Sequence, residues 1–206
     1  MESAMRWISR PLRLLSFVTL YAAGIAFANT QVSVTDKDGK PLANAVVFLE
    51  SPSAKAAAKP LSGVEIIQIA KQFSPQIAVV TPNTSVLFPN KDTVRHHVYS
   101  FSPTKKFELK LYSGVPAAPV VFDKPGVAVL GCNIHDNMVA WVLIVETPYF
   151  GVTDGKGRLT LDAPAGNYQL KAWHSTVVPG SPLTEQPVKI SPGNDTLSVK
   201  VAGSTA

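Results

Sequence analysis

Three side chains that bind soft transition metals lie close together in the chain, in the segment that reads GCNIHDNM. They are Cys132, which is the only cysteine, His135 and Met138. Two further donors, His96 and His97, lie well upstream. A fold that gathers these donors on one ion must bring the segment near residue 96 beside the segment that ends at Cys132.

The N-terminus predicts an export signal. Three arginines precede the apolar stretch from Leu14 to Phe27, which ends in a small-x-small cleavage site at Ala28. The apolar stretch is only about 14 residues long and a bilayer-spanning helix needs about 20, so we expect cleavage after Ala28 and no stable membrane insertion. The mature protein is then expected in the periplasm.

A lone cysteine has no disulfide partner within the chain, although an oxidising compartment favours disulfides. Cys132 is therefore either a small buried residue or a metal ligand. Each donor has such an ordinary alternative, since Met138 can simply pack in a core.

The net charge argues against a nucleic-acid partner. The chain has 19 basic and 14 acidic side chains, and removal of residues 1–28 takes away three arginines and one glutamate. The remaining positive excess is small and contains no long basic run.

Short stretches rich in valine, threonine and isoleucine alternate with glycine and proline, which predicts an all-β protein. Residues 51–60 are small and basic and end in proline, so they predict a linker. The apolar positions Ile66, Ile67, Ile69 and Phe73 are predicted to lie in a core. We predict strands at 31–35, 45–49, 65–70, 76–80, 85–88, 94–101, 106–111, 127–132, 139–145, 168–173, 188–190 and 196–201, and a hairpin within 152–161 whose turn contains glycine.

Three motifs in the first and last parts of the chain resemble the carboxypeptidase regulatory-like (transthyretin-like) family of small sandwiches. They are DGKPLANA at 38–45, DGKGR at 154–158 and PAGNY at 164–168. The resemblance implies an interrupted architecture, in which residues 29–55 and 148–206 build one sandwich and a domain of residues 61–147 is inserted or fused between them. The alternative is one larger, irregular sandwich.

The donor set itself points to copper. Two imidazoles and a thiolate with a weak axial thioether form the ligand set of a blue-copper electron-transfer site. The spacing Cys132-x2-His135-x2-Met138, together with the sequence RHHV at 95–98, resembles the plastocyanin and amicyanin group of cupredoxins. Residues 88–101 are also similar to exported plastocyanin-like proteins that are often labelled methylamine utilization proteins. This resemblance covers about residues 61–147 and implies a Greek-key β-sandwich that binds copper.

The resemblance also implies a role for each donor. Cys132 would supply the thiolate, His96 and His135 the equatorial nitrogens and Met138 the weak axial sulfur. His135 would face solvent as the electron port, and residues 115–119 would form part of a docking surface near it.

The choice between the two upstream histidines rests on strand geometry and motif alignment. Side chains alternate along a strand, so His96 and His97 point to opposite faces and only one enters the site. Alignment with the cupredoxin motif selects His96. It leaves His97 where the family usually has an asparagine that hydrogen-bonds around the site.

Several functions are excluded by counting side chains. A binuclear purple copper centre needs two thiolates, and a multicopper enzyme needs more imidazoles than the four histidines of the chain supply. A Cys132–His135 nucleophile would lack an oxyanion motif. We therefore expect a non-enzymatic one-electron carrier that serves redox partner proteins. The alternatives are copper delivery or sequestration, and a β-sandwich interaction module with a structural metal.

Overall fold

The computed structural model describes residues 27–178, 180–193 and 195–202. Nearly all of the predicted export signal lies outside this range. No helix in the described ranges is long and apolar enough to cross a membrane. The described chain forms one helix, α1 (Pro52–Ala57), and the strands β1 (Phe27–Thr35), β2 (Val46–Glu50), β3 (Val64–Glu65), β4 (Ile67–Ile69), β5 (Gln72–Ser74), β6 (Ile77–Val80), β7 (Thr84–Leu87), β8 (His96–Ser102), β9 (Lys105–Tyr112), β10 (Val120–Phe122), β11 (Gly126–Gly131), β12 (Val139–Ile144), β13 (Phe150–Val152), β14 (Arg158–Pro164), β15 (Gly166–Trp173), β16 (Thr184–Ile190) and β17 (Thr196–Lys200).

Four sheets carry the fold. Sheet 1 has the strand order β14-β1-β17, and sheet 2 has the order β13-β2-β15-β16. Sheet 3 has the order β6-β12-β11-β8-β9, and sheet 4 has the order β10-β7-β3. Strands β4 and β5 form a separate hairpin. The predicted all-β sandwich class is confirmed, whereas the division into residue ranges stays a prediction.

Each pair of sheets encloses an apolar core. Sheets 1 and 2 bury a core that includes Val32, Leu49 and Leu170. Sheets 3 and 4 bury a second core that includes Val86, Phe122 and Val142, and this core also contains Cys132 and Met138. Two of the four sequence-predicted donors therefore lie in the core of the sandwich made by sheets 3 and 4.

A third core joins sheet 2 to sheet 3. Because side chains alternate along a strand, β12 turns Val142 into the core with sheet 4 and Trp141 and Leu143 the other way. There Leu143 packs with Phe48, and the ring centroids of Trp141 and Trp173 lie 6.2 Å apart. We call this cluster the joining core. It makes the sheets stack in the order 1, 2, 3, 4.

The predicted linker at 51–60 contains a helix instead. Ser51 caps its N-terminus by accepting a hydrogen bond from the Ala54 backbone N–H at 3.1 Å, and Pro52 occupies the first turn. Ala54 is buried in the core between sheets 1 and 2. The linker prediction was wrong here because a good cap, a proline and alanines suffice for a short helix that packs on a sheet.

Strand boundaries also differ from the predictions. The single strand predicted at 65–70 is two strands, β3 and β4, and β5 and β10 were not predicted. Ile69 was expected in the core, yet it is 48% exposed because it precedes the turn between β4 and β5. This turn lies close to the candidate site.

Gly157 allows a test of a close backbone contact beside sheet 1. Its φ is +69°, and a Cβ there would lie 2.5 Å from the Val34 carbonyl oxygen and 2.8 Å from the Leu42 nitrogen. Gly157→Ala should lower the free energy of unfolding by about 2 kcal/mol or more, because backbone atoms cannot yield as a flexible side chain does. Urea denaturation measures this. Gly155→Ala is the matched control, since nothing lies within 4 Å of its Cβ position. If Gly157→Ala and Gly155→Ala lose the same amount of unfolding free energy, the close backbone contact at Gly157 is not what makes glycine necessary there.

Candidate metal centre

The pairing of β8 with β11 brings the distant donors together. The two strands are antiparallel neighbours in sheet 3, with Gly131 opposite Tyr99. The start of β8 therefore lies beside the end of β11. His96 is the first residue of β8 and Cys132 directly follows β11, so strand pairing alone places the imidazole next to the thiol.

The loop between β11 and β12 supplies the second imidazole. Its backbone turns sharply, since the Met138 N–H donates to the His135 carbonyl at 2.9 Å. The ligand atoms of His96, Cys132 and His135 all lie within 4.8 Å of one another. Nδ1 of His96 lies 4.0 Å from Sγ of Cys132, and the two imidazole centroids are 4.9 Å apart.

The burial and orientation of these groups fit a metal. His96 is fully buried and Cys132 is 4% exposed. Nδ1 of His135 is also buried, and it has no hydrogen-bond partner among the described residues. A buried nitrogen without a partner is costly, and a metal bond would satisfy it.

The distances also fit one ion. Nitrogen and sulfur donors lie about 2.0–2.3 Å from a bound transition metal, so donors about 4 Å apart can share it. Because the three ligand atoms lie within 4.8 Å of one another, only a small movement would bring all of them to bonding distance from one ion. Met138 is 1% exposed and lies in the same core as Cys132, which leaves it available as a further sulfur donor.

The structure separates His97 from this group. Its Nε2 lies 2.9 Å from a carboxylate oxygen of Glu108, although the angle is too poor for a hydrogen bond. Its ring stacks near Tyr99, with centroids 5.7 Å apart. His97 thus belongs to the opposite face of sheet 3, and none of the contacts found in the described part of the chain connects it to the donors.

Asp92 was missed by sequence reasoning and is the closest polar partner of His96. Its Oδ2 lies 2.7 Å from Nε2 of His96, which leaves Nδ1 of the same ring facing Cys132. The Asp92 carboxylate also accepts hydrogen bonds from the backbone N–H groups of Ala70 at 2.7 Å and Lys71 at 2.9 Å. A carboxylate behind a ligating imidazole fixes the ring orientation and raises its basicity.

These contacts lower the pKa of Asp92. Burial acts in the opposite direction, but the N–H groups of Lys71 and Ala70 and the imidazole of His96 together outweigh it. The carboxylate is therefore ionised at neutral pH and is a full acceptor for all three donors.

A buried polar network holds the loops around Asp92. The Asn90 side chain accepts from the Asp92 N–H and donates to the carbonyls of Val94 and Tyr112, each at 2.9 Å. Behind it, Nε2 of Gln68 and the Tyr112 hydroxyl both donate to the Phe88 carbonyl. Burial raises the pKa of Tyr112 to about 12, with a smaller contribution from Cys132, so its hydroxyl remains a donor.

Comparisons with known proteins do not identify the chain by sequence. No protein-family model and no curated protein matches it. Among solved structures it is similar to a purple cupredoxin from Nitrosopumilus maritimus, at 23% identity and a TM-score of 0.36, over 40% of this chain and 99% of that one.

Two further similarities are of the same kind. Amicyanin from Paracoccus versutus is 14% identical, with a TM-score of 0.35, over 48% of this chain and 97% of that one. A copper-containing nitrite reductase from Thermus scotoductus SA-01 is 19% identical, with a TM-score of 0.38, over 54% of this chain but only 28% of that one.

Replacing Asp92 by alanine tests its role behind His96. We expect cupric-ion affinity to fall by about 10–100-fold, because loss of such a carboxylate leaves the imidazole unoriented. The metal-free protein should also lose about 2 kcal/mol of unfolding free energy, because the backbone N–H groups of Ala70 and Lys71 lose the carboxylate to which they donate. Isothermal titration and urea denaturation measure the two effects.

Asp123→Ala is the matched control for this change. Asp123 is an exposed carboxylate paired with Lys105, and it lies outside the donor group. If Asp92→Ala and Asp123→Ala bind cupric ion equally well, the orienting role is wrong.

Proposed function

We propose that this protein is an exported electron carrier of the cupredoxin type that binds one copper ion through His96, Cys132, His135 and Met138. The observation that carries the proposal is the convergence of a buried thiol and two imidazoles, one of which has an unpartnered buried nitrogen. This donor set suits copper in both of its oxidation states.

A bound copper ion would supply a one-electron couple at this site. The chain's own contribution is a fixed set of donors. His96 is held by Asp92, and Cys132 is anchored at the end of a central strand. Donors that do not rearrange between oxidation states favour fast electron transfer.

Burial of the site favours electron transfer over copper delivery. His96 and Cys132 are almost inaccessible, whereas delivery requires an open site at which a second protein can take over the ligands. His135 is the partly exposed member of the group, which supports its proposed role as the electron port.

An apolar rim surrounds this end of the sandwich. It consists of Ile69, Val94, Val115 and Ile134, which are between 41% and 66% exposed. Ile134 precedes His135, and the loops that carry the other three are bonded to Asp92 or Asn90. We propose that redox partners dock on this rim.

Localisation and domain origin belong to the same proposal. The export signal at residues 1–28 would direct the protein to the periplasm. Sheets 1 and 2 would be the transthyretin-like sandwich, supported by the motifs at 38–45 and 154–168.

The visible spectrum tests the copper centre. Addition of cupric ion should produce an intense thiolate-to-copper charge-transfer band, and Cys132→Ser should abolish it, because the band needs sulfur bonded to copper. His96→Ala should also lose the band, while His97→Ala should keep it.

The two histidine variants are matched, since they are neighbouring buried residues on opposite faces of β8. A colourless wild-type protein whose stability alone depends on metal would indicate a structural metal site and would contradict electron transfer. Loss of the band in His97→Ala but not in His96→Ala would reverse the ligand assignment.

Electron self-exchange tests the apolar rim. Val115→Lys should slow self-exchange by about tenfold or more, because two rims must meet in the encounter and the introduced charges repel one another. Line broadening in NMR spectra of mixed oxidation states measures the rate. Val178→Lys is the matched control, since Val178 is a similarly exposed valine, at 54%, in the part formed by sheets 1 and 2. Equal slowing by the two lysines would exclude the rim as the contact surface.

A further inference from the structure

Part of the outer face of sheet 3 is not covered by any of the described residues. The joining core covers this face over β6 and β12 and extends to Val127 of β11. Two residues later on the same strand, Val129 is 38% exposed, and Phe101 of β8 is 74% exposed. A groove lined by Tyr99, Phe101 and Val129, among others, runs between them.

Three rings form a column along this open face. His97, Tyr99 and Phe101 are every second residue of β8, so their side chains point to the same side of the sheet. Centroid separations are 5.7 Å between His97 and Tyr99 and 5.0 Å between Tyr99 and Phe101. Such spacings are those of aromatic contacts.

The middle ring lies against the backbone next to the proposed copper ligand. A Cβ built on Gly131 would lie 2.8 Å from the Tyr99 ring and 2.8 Å from its hydroxyl oxygen. Gly131 is therefore the residue type that lets the ring approach this closely. Gly131 is bonded directly to Cys132. The path from the Tyr99 ring to Cys132 therefore consists of one van der Waals contact with Gly131 and the peptide bond that follows it.

The exposed end of the column has a basic border. Lys106 pairs with Phe101 across β8 and β9, and Lys110 lies farther along β9. Both lysines are exposed and neither forms an ion pair within the described residues, whereas Glu108 between them lies against His97. An apolar centre with free positive charges beside it complements an acidic surface.

We propose that the Phe101 face is a second electron port, at which an acidic redox protein docks and exchanges electrons with the Cys132 site through Tyr99. This proposal rests on the proposed function and adds a route distinct from His135. It gives the carrier separate contact surfaces on the apolar rim and on sheet 3.

The electron balance is simple. One electron leaves the reduced site and one electron reduces the partner, which is the oxidant; the reverse holds when the partner is the donor. Tyr99 and Phe101 provide electronic coupling and are neither oxidised nor deprotonated overall. Replacing tyrosine by phenylalanine should therefore preserve the route.

A photoactive label on the column's own face tests the route. Lys106→Cys is labelled with a ruthenium polypyridyl maleimide in the copper-loaded protein, where Cys132 is buried. Flash photolysis then gives the rate of electron transfer between label and site. The rate is compared in backgrounds with Tyr99, Tyr99→Phe, Tyr99→Leu and Phe101→Leu.

The expected result is a several-fold slower transfer in Tyr99→Leu and in Phe101→Leu, with an unchanged rate in Tyr99→Phe. The visible band and the reduction potential should stay the same in all backgrounds. Unchanged rates in both leucine variants would overturn the route, and Phe101→Leu decides the matter alone if Tyr99→Leu fails to fold. A wild-type protein without the visible band would instead refute the proposed function.

Docking is tested without electron transfer on the metal-free protein. Hexacyanocobaltate(III), a redox-inert trianion, should shift the NMR signals of Phe101, Lys106 and Lys110, and Lys106→Glu combined with Lys110→Glu should abolish these shifts. Lys37→Glu combined with Lys200→Glu is the control for net charge. If the control pair abolishes the shifts equally, or if no shift occurs on this face, the acidic-partner assignment is wrong.

Discussion

The antiparallel alignment of β8 with β11 is the constraint on which the candidate site depends. Because the strands run in opposite directions with Gly131 opposite Tyr99, Cys132 comes opposite Val98, and His96 lies two residues farther along the same face of β8. Moving either residue to another position along its strand would separate the imidazole from the thiol. A shift of one position would turn His96 to the opposite face and bring in His97. The ladder hydrogen bonds and the core between sheets 3 and 4 therefore fix the register of the donors.

The loops around the donors are stabilised as one unit. The turn of the β4–β5 hairpin puts Ala70 and Lys71 at φ of 51° and 56°, a conformation that is unfavourable for residues other than glycine. The Asp92 carboxylate offsets this cost by accepting both N–H groups, and the same carboxylate orients His96. Asn90 connects this assembly to the end of β9. Donors held in place before a metal arrives need little rearrangement when its charge changes.

Sequence reasoning could predict those parts of the site that are encoded locally. The spacing of Cys132, His135 and Met138 lies within one loop, and alternation along β8 indicates that only one of the two upstream histidines can face it. Asp92 could not be found this way, because an aspartate in a polar loop usually lies in solvent. His96 is only four positions away, but the partners that hold the carboxylate, Ala70 and Lys71, are more than twenty positions away. Short elements such as β5 and β10 lack a periodic signal. Helix α1 has a local signal in the Ser51 cap and Pro52, but the small, basic composition of the same segment is also typical of a linker.

The stacking of sheet 2 on sheet 3 explains why both open surfaces lie where they do. Strand β12 reads VAWVLI, and such a continuous apolar run is typical of a strand buried on both faces. Its first residue, Val139, directly follows Met138, so Trp141 and Leu143 in the joining core anchor the strand that carries the ligand loop. Sheet 2 thus occupies the side of sheet 3 nearest β12 and stiffens the base of that loop. The described residues leave uncovered the loop end around His135 and the far part of sheet 3, where β8 presents Tyr99 and Phe101. The candidate donors are therefore supported by one sandwich on one side, while two separate surfaces stay open among the described residues.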